Sequence, residues 1–375
     1  MTPATEAELA QAVADAAGPL RIRGGGTRAI GQAGPGAVLS VAELRGIELY
    51  EPGALTLVAR AGTPLAEIEA VLAAEGQRLP FEPMDHRALL GTEGAPTIGG
   101  VVASNASGPR RIQAGACRDS LIGVRFVDGS GAVIRNGGRV MKNVTGYDLV
   151  KLMAGSWGTL GVLSEVSFKL LPAPEAAACV LIEGLSDARA VAALSAALGS
   201  PFEVSGAAHV PVGLDGAPVT MIRIEGFADA VAYRAGRLQA LLARFGDSVV
   251  ETDPERVAAG WSWIRDVEGF AGLSGDVWRV SVKPSDGPAA VTAVAPERAI
   301  YDWGGGLIWM LVPEGRDIRP ALAGIGGHAT LIRASEATRR DIPSFHPEAA
   351  PVAALSAKLR AEFDPRGILN PGLMG

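Results

Sequence analysis

Glycine recurs at positions that read as strand ends, and this constrains the chain more than any other feature. Arg23-Gly24-Gly25-Gly26-Thr27 follows a short apolar strand, Pro19 to Arg23. Gly155-Ser156-Trp157-Gly158-Thr159-Leu160-Gly161 precedes Val162, Ser164, Val166, Phe168 and Leu170, an alternation that reads as a half-buried strand. A glycine carries no side chain, so its backbone N–H approaches a diphosphate closely and takes the positive φ that a concave anion nest requires. A third glycine-dense stretch, Gly91 to Gly108, adds small hydroxyls and an amide, with Glu93 as its one ionisable residue. That favours holding a bulky cofactor over acid–base work by the loop itself.

Gly24, Gly26 and Ala29 formally match the G-x-G-x-x-A pattern of a Rossmann dinucleotide site. The context rejects it. Such a fingerprint must open a helix, whereas Gly31, Gly34, Pro35 and Gly36 follow at once and break any helix there. For a single loop the alternative is an ordinary glycine-rich turn.

With 375 residues the chain is long enough for two domains and a sizeable core. Hydrophobic residues make up 48%, but no apolar run approaches the ~18 residues of a membrane span. The start, Met1 to Glu6, has neither the basic nor the apolar region of a secretion signal, so the expected location is the cytoplasm. Only Cys117 and Cys179 are present, without metal-ligand spacing, which argues against a disulfide framework, a zinc site or a protein-held iron–sulfur cluster. A formal net charge of −6 with scattered arginines disfavours nucleic acid as a partner.

Thr63-Pro64, then Leu65, Ile68, Val71 and Leu72, then Gly76, predicts a helix with Thr63 as N-cap, proline at its first position and glycine past its end. Leu121 to Val127 and Ala132 to Ile134, joined by Asp128-Gly129-Ser130-Gly131, read as a hairpin. Leu171-Pro172-Ala173-Pro174 marks a boundary, because proline cannot continue a sheet ladder. Beyond it, Ser186 is expected to cap a helix through Leu198. Val219 to Ile224 and Val277 to Val282 read as strands, and Ala228 to Phe245 as a long helix. Pro351 to Phe363 reads as a final helix, and Asp364 to Gly372 as a docked tail. The expected domains are 1–172, 173–350 and a tail, 351–375, that returns to the first.

In this order the motifs resemble the vanillyl-alcohol-oxidase superfamily, with its PCMH-type FAD-binding domain, in the branch of bacterial D-lactate and glycolate oxidising flavoproteins. The resemblance spans nearly the whole chain. It implies an α+β fold, a two-part FAD-binding domain carrying an α+β cap over the isoalloxazine. Arg23, Gly24, Gly25, Gly26 and Thr27 are similar to the family's first pyrophosphate loop. Thr97, Ile98, Gly99 and Gly100 with Ser104, Asn105 and Gly108 are similar to the second. Asn143 to Asp148, including Thr145, Gly146, Tyr147 and Asp148, resemble the NxTGYDL signature. Gly155 to Glu165, including Gly158, Thr159, Leu160, Gly161 and Val162, resemble GSxGTLGxxxE. Arg110, Arg118-Asp119 and the terminal ILNPG also sit where the family pattern places them, so Asn370 is expected back at the flavin domain.

Trp278-Arg279-Val280-Ser281-Val282, Gly326-Gly327-His328-Ala329-Thr330-Leu331 and FDPRGILNPG resemble most closely the flavin-binding E subunits of bacterial glycolate oxidase complexes. The resemblance implies as partners a catalytic flavin subunit of related fold and an iron–sulfur subunit, with peripheral membrane association through them. Its substrate would be a small 2-hydroxy acid. The chain departs from catalytically complete relatives, whose cap holds a GHxGDGNxH metal stretch: here only His328 remains, so no catalytic metal is expected. Thr27 and Arg28 stand where relatives place a covalent histidine or cysteine, so FAD is expected to be non-covalent.

Oxidation of glycolate needs a cation for the carboxylate and a base for the hydroxyl proton. Arg279 and His328 are the candidates, set against a salt-bridged strand arginine and a structural histidine. His86, His209 and His346 have weaker claims. Trp157, Trp263, Trp303 and Trp309 read as core or interface residues. The functional readings left open are a complex subunit that passes electrons on, a self-sufficient 2-hydroxy-acid dehydrogenase, and an assembly subunit whose FAD is structural.

Overall fold

Residues 1–32, 34–138 and 146–374 are described by the computed structural model. The chain folds as two units. Met1–Ser107, Gly115–Ala173 and Pro347–Gly375 form the first, and Gly108–Ala114 with Pro174–His346 form the second.

In the first unit, β1 (Leu20–Arg23) and β2 (Ala37–Ser40) pair in parallel. The strands β3 (Ile47–Glu51), β4 (Thr56–Arg60), β5 (Leu121–Val127), β6 (Val133–Gly137) and β7 (Val162–Lys169) build an antiparallel sheet in the order β3-β4-β7-β5-β6. The predicted hairpin is β5–β6, and its turn is tied by Asp128, whose carboxylate accepts from Ser130 and Ala132 N–H groups. As the central strand, β7 is buried on both faces rather than half-buried, with only Glu165 and Lys169 partly exposed.

Two apolar clusters hold this unit. One gathers Ile68, Val101, Phe126, Met153, Val166 and Phe168, and the other Leu9, Val13, Leu20, Leu39, Val162 and Leu369. The predicted helix spans Leu65–Ala74 and stops before Gly76 at φ +61°. Its cap differs from expectation: Pro64 takes the N-cap position, and the Thr63 hydroxyl donates to the Gly46 and Arg60 carbonyls instead. Pro64, at φ −57° and ψ 135°, is extended rather than helical, so the helix begins at Leu65 and the threonine hydroxyl braces a neighbouring loop.

The last helix, Ala350–Phe363, leads into the tail. The tail docks as a pseudo-strand beside β1: Leu20 N–H donates to Ile368 O (2.7 Å) and Asn370 N–H to Leu20 O (2.9 Å). Arg366 donates to the carbonyls of Ala14 and Ala16, at the end of the helix Glu6–Ala14, and to Gly129. A cation there complements both the orphan carbonyls and the helix dipole.

The second unit is one antiparallel sheet of eight strands among the described residues. They are β8 (Ala176–Glu183), β9 (Val204–Val210), β10 (Val219–Gly226), β11 (Ser248–Glu251), β12 (Asp276–Val282), β13 (Arg298–Asp302), β14 (Leu307–Val312) and β15 (Gly327–Arg333). Their order is β11-β8-β10-β9-β13-β14-β12-β15. Helices Asp187–Leu198 and Ala228–Leu242 pack on it, and two apolar clusters form, around Ile222 and Leu238 and around Trp278 and Met310. Ser186 does occupy the N-cap of its helix but makes no side-chain capping bond.

Candidate functional site

A cavity of about 570 Å³ opens in the first unit, within the ~300–1,000 Å³ range of small-molecule sites. It gathers residues far apart in sequence. Arg23, Gly24, Gly25, Gly26 and Thr27 line it after β1, and Thr97, Gly99 and Gly100 enter from the segment that opens the helix Ile98–Ser104. Gly158, Gly161 and Val162 line it before and at the start of β7, and Asn370 reaches it from the tail. The close approach of these segments demands glycine: a Cβ on Gly25 would fall 1.6 Å from Ala95 O. Gly158, at φ +73°, holds a left-handed turn beside the Asn370 amide.

Asn370 ties two walls of this cavity together. Its Oδ1 accepts from Ile22 N–H (2.8 Å), and its Nδ2 donates to Trp157 O (2.8 Å).

Other expected residues lie elsewhere. Ile98 and Leu160 are buried in the apolar core, and Ser104 donates back to the Gly100 carbonyl of its own helix. Asn105 ends that helix at φ +48°, and its side chain accepts from Arg118 N–H. The Thr159 hydroxyl is used on Ser156 O. Tyr147 is 89% exposed, and Asp148 caps the short helix Leu149–Met153 by accepting from Lys151 N–H. Gly146 lies in open surroundings, Thr145 falls outside the described residues, and Gly108 belongs to the second unit.

Sequence reasoning missed several lining residues, Trp157 and Arg28 among them. Trp157, read as core or interface, lines the cavity, with its backbone held at φ +53° by donation to Ala103 O. Arg28 also lines it. Its Nη2 donates to Met84 O (3.2 Å), while its buried Nε has no hydrogen-bond partner among the described residues. Burial pulls the guanidinium down to about 10, partly offset by Asp85. The basic residue after the glycine loop was the available signal. Among the described lining residues there are three arginines, Arg21, Arg23 and Arg28, and no carboxylate. A glycine-walled cavity with surplus positive charge and an orphaned guanidinium nitrogen fits a ligand carrying a diphosphate.

The second unit brings Arg279 and His328 together. Arg279 on β12 faces Thr330 on β15, and Ser281 faces His328, so Arg279 and His328 are diagonal neighbours on one sheet face. Burial, then the Arg279, His346 and Arg111 charges, hold the His328 imidazole below its ordinary range. Arg279 is pulled down to about 10 by burial and by Arg111, against Asp302. The remaining histidines have structural surroundings. His209 is fully buried, with Nδ1 3.0 Å from the Thr220 hydroxyl and Nε2 3.4 Å from Asp187, and His346 Nδ1 accepts from Ala329 N–H. His86 is 8% exposed, with Nδ1 3.3 Å from Met84 O.

Among the described residues, no group of three or more His, Cys, Asp or Glu is placed to hold a metal ion, and no helix is long and apolar enough to cross a membrane. Both cysteines are buried, and burial raises both thiols, Cys179 to about 12. Neither is a thiolate nucleophile at neutral pH.

Residues 1–137 match the family described as FAD binding domain. Over 371 residues, covering 98% of this chain and 95% of the relative, the sequence is 37% identical to glycolate oxidase subunit GlcE of Escherichia coli (strain K12). The chain belongs to the GlcE family. Its cofactor is FAD. Partial matches relate this GlcE-family chain to stretches of longer proteins. Glycolate oxidase subunit GlcD of Bacillus subtilis (strain 168) is 34% identical over 160 residues, 42% of this chain and 33% of that one. D-lactate dehydrogenase of Archaeoglobus fulgidus is 33% identical over 157 residues, 41% of this chain and 33% of that one. In architecture, alkyldihydroxyacetonephosphate synthase superposes with a TM-score of 0.72 at 16% identity, over 99% of this chain and 76% of that one. That likeness establishes the PCMH-type α+β fold alone.

Proposed function

We propose that this chain is the FAD-carrying subunit of a glycolate oxidase complex, which converts glycolate to glyoxylate and passes the electrons to an iron–sulfur subunit. The observation that carries this reading is the full-length 37% identity to a glycolate oxidase subunit, combined with a diphosphate-suited cavity lined by the family's own loops. Residues 1–172 and the tail would hold the cofactor, and 173–350 would face the substrate. The loops after β1, at Thr97–Gly100 and before β7 supply backbone donors, Arg28 supplies charge, and Asn370 fixes their spacing. Thr27 and Arg28 offer no histidine or cysteine to the flavin, so attachment is non-covalent. Assembly with a second flavin subunit of related fold completes the enzyme, in the cytoplasm or at the inner face of the membrane through those partners.

When bound, FAD supplies a two-electron oxidant for the α-carbon hydride. The chain's own groups supply the rest. Arg279 binds the carboxylate, and a neutral imidazole nitrogen of His328 takes the hydroxyl proton. Their adjacency on one sheet face, with His328 held neutral, favours a second reading, in which the chain oxidises a 2-hydroxy acid unaided.

The anaerobic visible spectrum before and after adding glycolate tests both. A flavin band that stays oxidised in the chain alone and bleaches when the partner subunits are added supports the complex subunit. Bleaching in the chain alone supports the self-sufficient enzyme. No bleaching in either case refutes glycolate oxidation.

A further inference from the structure

The segment Gly108–Ala114 follows a loop of the first unit in sequence, yet it packs with the second. Its anchors are strong. Arg110 Nε and Nη2 donate to the nearly inaccessible Glu225 carboxylate at 3.0 and 2.8 Å, Trp303 Nε1 donates to Gly108 O at 3.1 Å, and Ile112 packs against the apolar cluster. These contacts fix the backbone on both sides of Arg111, whose guanidinium carbon lies 4.6 Å from the Trp303 ring centroid. The guanidinium carbon of Arg279 lies 5.1 Å from the same ring.

Two cations on one indole repel, and Arg279 registers that repulsion together with its burial. A planar guanidinium laid over a ring points its N–H edges outward in the ring-parallel plane, the fork geometry that a carboxylate matches. His328, the diagonal neighbour of Arg279, sets a neutral imidazole beside the pair. We propose that Arg111 and Arg279, both stacked on Trp303, form a two-guanidinium seat for the carboxylate of a small 2-hydroxy acid, with Arg111 as the specificity-determining residue. This deepens the function proposed above and rests on it for the identity of the anion. A bound carboxylate neutralises the repulsion, and its α-hydroxyl falls to the side of His328.

The test uses the full-length, FAD-loaded chain and oxalate, a two-carbon carboxylate that offers no α-hydrogen to remove. Calorimetric titration of the wild type should show binding. Arg111→Gln and Arg279→Gln should each weaken it at least tenfold with flavin content unchanged, and Arg111→Lys should restore part of the loss. Oxalate should also shift the His328 imidazole resonances of the wild type, a readout that survives if a variant fails to fold. No oxalate binding up to about 10 mM, or equal binding by wild type and Arg111→Gln, overturns the seat. Arginine-dependent oxalate binding without flavin bleaching by glycolate, even with partner subunits, keeps the seat and refutes the oxidase reading. Bleaching with a glycolate KM that Arg111→Gln leaves unchanged does the reverse.

Discussion

Replacing Asn370 by alanine tests how the tail controls the cofactor cavity. The side chain, 5% exposed, satisfies Ile22 N–H and Trp157 C=O, one on each wall. Losing it leaves two such groups without their partner at about 1–3 kcal/mol each, so Asn370→Ala should cost roughly 2–6 kcal/mol. Asn370 also sits at φ +45°, where alanine adds about 1 kcal/mol that glycine avoids. The predicted order of stability is therefore wild type, then Asn370→Gly, then Asn370→Ala. An Asn370→Asp change keeps the acceptor for Ile22 but sets an oxygen against the Trp157 carbonyl, and it should fall below wild type. The assay is urea-induced flavin release, with tryptophan emission as a second probe, alongside the FAD dissociation constant, which should rise at least tenfold for Asn370→Ala. Wild-type behaviour of Asn370→Ala, or equal stability of the alanine and glycine variants, would show that Asn370 does not hold the two walls together.

Gly25→Ala should abolish FAD binding, because its Cβ would fall 1.6 Å from Ala95 O and force the two loops apart. Gly53→Ala, in open space, should bind FAD as wild type does, and equal affinity of both variants by fluorescence titration contradicts this. His328 should titrate by NMR below the ordinary ~6.5, and Arg279→Gln should raise its midpoint by removing a neighbouring charge. Because the folded value is lowered, the unfolded chain takes up this proton first, so the His328 contribution to stability is lost as pH falls below about 6.5. A wild-type midpoint at or above that value contradicts the surroundings described for His328.

Much of the cavity was legible because glycine is a local signal. A Gly-Gly-Gly run after a strand, or a Gly-x-x-Gly run before one, announces a backbone that something must approach, and those residues do line one cavity. The docked tail was legible too, since Asp364-Pro365-Arg366-Gly367 cannot continue a helix. Side chains whose role depends on distant partners were not. Nothing in the sequence around Arg28 tells that its guanidinium runs to Met84 and leaves Nε buried. Trp303 read as a core or interface residue because the arginines beside it come from Gly108–Ala114 and from β12. Motif position alone does not put a residue on the cavity wall. Ile98, Ser104 and Thr159 belong to the right segments but face the core or their own backbone.

The proposed function has the glycine-walled cavity of the first unit hold one FAD without a covalent bond. Its most direct test is to denature the purified chain, separate it by filtration, and quantify and identify the released flavin. One equivalent of unmodified FAD should appear in the filtrate from the wild type and none from Gly25→Ala. Flavin retained on the denatured polypeptide, FMN in place of FAD, or a full equivalent from Gly25→Ala would contradict it.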